Sequence, residues 1–101
     1  MKKGFVSTMR RGFHMTFANG LTASVQWGAG NYCENHNSTD FTPVKDVSSD
    51  TAEVAVFKNG ELIDANPFVP EERRDNCDIV CGWLSPENVA QFLVNVAADK
   101  G

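Results

Sequence analysis

The sequence predicts an α+β fold, in which an antiparallel sheet of two hairpins plus one or two further strands is packed by a C-terminal amphipathic helix. Two observations predict the sheet: apolar residues alternate with polar ones from Phe13 to Trp27, and both this stretch and the apolar stretch Thr51 to Ala65 are broken in the middle by Asn-Gly. A third predicts the helix, because an apolar stripe at helical spacing follows Ser85-Pro86-Glu87 near the end of the chain.

Taken in order, the first element is a weak strand near Phe5 to Met9. A hairpin follows, with Phe13, Met15 and Phe17 in its first strand and Leu21, Ala23, Val25 and Trp27 in its second. A two-residue Asn-Gly turn would put these two sets on opposite faces. A three-residue loop, Ala18-Asn19-Gly20 with Gly20 left-handed, pairs Phe17 with Leu21, Met15 with Ala23 and Phe13 with Val25, so all the large residues share one face. The bulged loop is therefore expected. In the second hairpin, Thr51 to Ala65, the two-residue turn works better, setting Lys58 opposite Glu61, Phe57 opposite Leu62 and Val56 opposite Ile63. Apolar residues fall on both faces of this hairpin, which suggests a central strand or one covered on both sides. A further strand is expected at Asp78 to Trp83. For the helix, Ser85 is a suitable N-cap, Pro86 fits the first helical position, and Leu84 can staple onto Val89. Val89, Phe92, Leu93 and Val96 form its apolar face, and the helix ends near Asp99.

Two stretches have no periodicity. Gly28 to Asp50 is a long irregular loop rich in polar and reactive side chains, and Asn66 to Asn76 is a second irregular stretch in which Glu71 to Asp75 reads as solvated.

Length and composition bound the function. The 101 residues suit a single domain spanning 1–101, and 42% hydrophobic with 22% charged residues is ordinary globular usage. A net charge of -4 disfavours a phosphate backbone, so no nucleic-acid partner is expected. The basic start Met1-Lys2-Lys3 runs into Arg10 and Arg11 without an apolar core, and no segment is long enough to span a bilayer; a cytoplasmic protein without a membrane partner is the expectation. In that setting Cys33, Cys77 and Cys81 are expected as free thiols.

Several constellations carry possible chemistry. Cys33 and His36 with Cys77 and Cys81 offer four zinc-type ligands, yet residues four apart on a strand stand about 13 Å from each other, so a shared metal needs a turn at 77–81. No metal and no cofactor are expected. Cys33 assisted by His36 or His14 is the enzymatic alternative, a small cysteine- or metal-dependent enzyme. The run Trp27-Gly28-Ala29-Gly30-Asn31-Tyr32 lacks the Gly-Lys-Ser/Thr ending of a phosphate loop and reads either as a strand exit or as a platform. In the platform reading Trp27 and Tyr32, with the amides of Asn31 and Asn35, face a ligand. The residues singled out for binding are Trp27, Asn31, Tyr32 and His36, with Arg73 and Arg74 as an anion contact.

The two hairpins, the Gly-Asn-Tyr-Cys segment and Gly82-Trp83-Leu84-Ser85-Pro86-Glu87 together resemble a group of small, uncharacterised bacteriophage-encoded proteins, over Phe13 to Ala98. The resemblance brings no catalytic residue and no cofactor. It implies an accessory or anti-defence factor, placed in the host cytoplasm, that acts by binding. The reading that follows is a nonenzymatic binding protein that engages a host protein or sequesters a small molecule. A homodimer is also expected, because one helix leaves part of a doubly apolar sheet to cover.

Overall fold

The computed structural model describes residues 3–101. The basic start read above against a signal peptide begins at Met1 and Lys2, which lie outside the described residues. The elements are β1 (Gly4–Ser7), β2 (Gly12–Thr16), β3 (Leu21–Gln26), β4 (Ala52–Lys58), β5 (Glu61–Ile63), β6 (Cys81–Leu84) and α1 (Pro86–Ala98). All strand pairs are antiparallel in the order β1-β2-β3-β4, and the far edge of β4 is shared end to end by β5 and β6. The fold is α+β, as expected.

Both hairpins close as their apolar patterns require. Phe13 pairs with Val25 and Met15 with Ala23, while the Phe17 amide donates to the Leu21 carbonyl at 2.9 Å and Gly20 takes φ +88°. In the second hairpin Val56, Phe57 and Lys58 oppose Ile63, Leu62 and Glu61, across an Asn59-Gly60 turn with both φ angles positive.

The register sorts the sheet into two unlike faces. On one, the rows Phe13, Val25, Val54 and Met15, Ala23, Val56, Ile63 lie beneath α1, whose Phe92 and Val96 are wholly buried. The helix starts where the sequence places it: the Ser85 hydroxyl accepts from the Asn88 amide at 3.2 Å, with Pro86 in the first turn. Its other end is held from the first hairpin, where the Asn19 side-chain amide donates to the carbonyls of Val96 and Asp99, both at 2.8 Å. These are carbonyls that the end of a helix leaves without an internal donor.

Four expectations are corrected. The first strand runs Gly4–Ser7 and stops there because Met9 and Arg10 both take positive φ, making a tight turn into β2. The last strand begins at Cys81 instead of Asp78: residues 77–80 form a turn, and Cys77 and Cys81, with Cα atoms 4.0 Å apart, are disulfide-bonded. Of the three cysteines expected as free thiols, only Cys33 is one. The stretch read as irregular contains two 3₁₀ helices, Asn66–Phe68 with Pro67 at its second position and Glu71–Asn76 capped by Pro70; proline presets φ for such tight turns. Of the two readings of the second hairpin, the central strand is the one that forms: β4 lies between β3 on one edge and β5 and β6 on the other, with α1 over one face. The opposite face carries Val6, His14, Ser24 and Ala55 in one row and Thr16, Thr22, Phe57 and Leu62 in the next, with Leu62 46% and Val6 61% exposed.

Candidate functional site

Residues 28–50 contain no helix or strand, yet their polar side chains hold them in place. Asn35 donates through its amide to the carbonyls of Trp27 and Ser48, at 2.7 and 2.9 Å. Asn31 accepts from the Gly28 amide and donates to the Glu53 carboxylate, whose second oxygen takes the Tyr32 amide at 3.1 Å. The amides expected to face a ligand are thus used to hold the loop, Asn31 against Glu53 of β4 and Asn35 against the backbone at Trp27 and Ser48. On its other side, the Trp27 indole N–H donates to the Val47 carbonyl at 2.6 Å and the Val47 amide donates to the Arg10 carbonyl. Gly28 allows this path, since a Cβ there would collide with the aliphatic part of Arg11.

This fastening creates a concavity. A groove of about 510 Å³ opens between the sheet, the first turns of α1 and the 47–51 segment. Its apolar wall includes Phe13, Val25, Trp27, Leu84, Val89 and Leu93, and its rim carries Ser48, Ser49, Asp50 and Thr51. Phe13 and Trp27 meet edge to face at 6.2 Å, fixing the indole in the wall. The Ser49 hydroxyl is committed to its own turn, donating to the Thr51 carbonyl at 2.7 Å. The Asp50 side chain makes no hydrogen bond or ion pair among the described residues.

Another concavity lies at the edge of β6; of the residues singled out from sequence Tyr32 lines it, with His36 packed behind the Tyr32 ring. Tyr32 stacks on His36 with centroids 5.1 Å apart, and the His36 ring is 6.4 Å from that of Trp83. Trp83 is positioned by its backbone, at φ +59°: its amide donates to the Tyr32 carbonyl at 2.8 Å, and its carbonyl accepts from Arg73 Nη2 at 3.0 Å. Gly82 permits the close approach, because a Cβ at that position would overlap the Tyr32 side chain. Below this aromatic group is a cavity of about 350 Å³ lined by Tyr32, Trp83, Val80, Cys77 and the polar residues Asp75, Asn76 and Asp78.

The structure therefore brings together Asn31, Tyr32, His36 and Arg73, and it sends Trp27 to the groove instead. Arg74 stands apart from both, with its Nε donating to the Val69 carbonyl at 3.1 Å. Two contributors were missed from sequence. Trp83 follows a glycine in a segment read only as strand and cap, and Glu53 sits in a strand where its role as an anchor for the Tyr32 loop had no local signal.

Cys33 and His36, the pair on which an enzyme would be built, point to different partners. The Cys33 thiol is fully buried and donates to the Gly28 carbonyl at 3.8 Å, while His36 Nδ1 lies 3.0 Å from the Asn31 carbonyl and so donates to it. No group of three or more His, Cys, Asp or Glu side chains that could hold a metal ion occurs among the described residues, and no helix among them is long and apolar enough to cross a membrane. No protein-family model matches the chain, and neither the curated proteins nor the solved structures compared with it include a match.

Proposed function

We propose that the protein is a nonenzymatic binding protein that sequesters a small, mainly apolar molecule in the groove between α1 and the sheet. The observation that carries this reading is the groove itself: about 510 Å³, walled by aromatic and branched side chains, with few polar groups and those on one rim. That volume and lining suit a small organic ligand. The free Asp50 carboxylate at the rim favours a ligand with an apolar body and a hydroxyl or amine at one end. The directions taken by Cys33 and His36 support binding over chemistry. In the wider setting implied by the phage resemblance, the protein would act in the host cytoplasm by withdrawing such a molecule from the host, as an accessory or anti-defence factor.

The groove is tested with N-phenyl-1-naphthylamine, a neutral apolar amine whose fluorescence rises on leaving water. A saturable rise at one equivalent is expected, and Ala90→Trp, which adds bulk from an exposed position on the groove wall, abolishes it. An unchanged titration in the variant would remove the groove reading. The cysteine-enzyme reading has its own test in Cys33→Ala: loss of a biological effect with fold and ligand binding intact would establish it. Recovery of the protein from host cells, followed by mass spectrometry of bound small molecules and proteins, separates a sequestered ligand from a host-protein partner.

A further inference from the structure

The cavity at the edge of β6 differs from the groove in lining and charge, and its ligand is a separate question. We infer that it is a second binding site, for an alkylammonium group. Two aromatic side chains, Tyr32 and Trp83, line the cavity while remaining 50% and 43% exposed, so each has surface available to a ligand. The face of an aromatic ring carries negative potential and attracts a cation set against it; His36 stacks on one face of Tyr32 and leaves the other. On the remaining sides stand Asp75 and Asp78, whose carboxylates make no hydrogen bond or ion pair among the described residues. Aromatic faces and uncompensated carboxylates thus favour the same sign of charge, and the protein's net charge of -4 adds to it.

The lining also selects among cations. Two carboxylates without a third metal-type ligand fall short of a metal site, whereas Val80 and the rings offer apolar surface to the alkyl part of an organic amine. An anion is disfavoured by the same two carboxylates. Arg73 is an opposing charge to account for; it does not line the cavity, and its Nη2 donates to the Trp83 carbonyl. The groove and this cavity share no lining residue, and the Ala90→Trp variant leaves every residue of the cavity unchanged.

The test is an NMR titration of the intact protein with n-butylammonium, n-butanol, butyrate and N-acetyl-lysine methylamide. The expected result is saturable shifts of the Trp83 indole and Tyr32 ring signals with n-butylammonium, and none of comparable size with butanol or butyrate. Asp75→Asn with Asp78→Asn, both at exposed positions, weakens n-butylammonium binding about tenfold or more, and Trp83→Ala about tenfold. Ala90→Trp leaves it unaltered. A lysine derivative that binds as well as the free amine identifies a side chain of a partner protein as a source of the group; a derivative that fails identifies a free amine. Equal shifts from butanol and n-butylammonium, or full affinity in the folded double aspartate variant, would overturn the inference.

Discussion

Breaking the Cys77–Cys81 bond gives the sharpest test of how the edge of the sheet is held. The bond closes a loop of sequence separation 4, the kind of short ring in which a cross-link removes little freedom from the unfolded chain. The chain-entropy relation for such a ring gives about 2 kcal/mol at 25 °C. In a domain of this size that corresponds to a fall in melting temperature of roughly 10 °C. Alkylation comes first: in denaturant without reductant a single thiol, Cys33, should be labelled, and all three cysteines after reduction. Melting is then followed by circular dichroism with and without reductant, with Cys77→Ala as a control that reductant should not shift further. Three labels without reductant would refute the bond. A single label with identical melting temperatures in both conditions would refute the entropic argument and show that the 77–81 turn is already formed in the unfolded chain. The state of the bond in protein recovered from cells also bears on the compartment, since a reducing cytoplasm opposes it.

The remaining predictions concern contacts that cross between elements. Asn19→Ala removes the side chain that reaches the Val96 and Asp99 carbonyls and should cost about 1–2 kcal/mol in denaturant melts, with faster amide exchange in the last turn of α1. Asn19→Asp should be worse than alanine, because it sets a negative charge against the negative end of the helix. Gly82→Ala forces a Cβ into the Tyr32 side chain, so it should cost about 1–3 kcal/mol and move the NMR signals of residues 31–36; a neutral result would mean the loop is not seated against β6. The Asp64 carboxylate accepts from the Asn66 side-chain and backbone amides at 2.7 and 3.0 Å, which holds its pKa below the ordinary carboxylate value. Its contribution to stability is present above the unfolded pKa of about 3.9 and disappears as pH falls through the lower folded value. Carbon NMR should show this depressed titration, and Asn66→Ala should return it towards normal.

The parts of the fold legible in the sequence are those written in short-range code. The bulge at Gly20, the Asn59-Gly60 turn and the Ser85-Pro86 helix start each depend on a few neighbouring residues whose backbone preferences and apolar pattern agree. Where the structure departs from expectation, the competing cause was local too but lacked an obvious residue signal. Met9 and Arg10 take up left-handed conformations usually left to glycine, which ends β1 early. The turn at 77–80 carries no glycine or proline, so its β-branched residues Ile79 and Val80 read as strand.

The two concavities are another matter, because neither is a property of one segment. The groove needs Trp27 from the end of β3, Val47 from the loop and Val89 from α1, and these meet only when the Asn35 and Trp27 hydrogen bonds seat the loop against the sheet. The aromatic cavity needs Tyr32 beside Trp83, 51 positions later in the chain. Their proximity follows from β6 taking the free edge of β4, so that the Trp83 amide is available to the Tyr32 carbonyl, and from Gly82 leaving room for the approach. A density of polar and aromatic residues in the 28–50 loop draws attention to Tyr32 and His36, but it reports on what the loop contains. Which side chains stay exposed is decided by which ones the loop spends on holding itself down. Asn31 and Asn35 are spent in that way, and Tyr32 is left over, half exposed, to form a wall with a residue from the other end of the sheet.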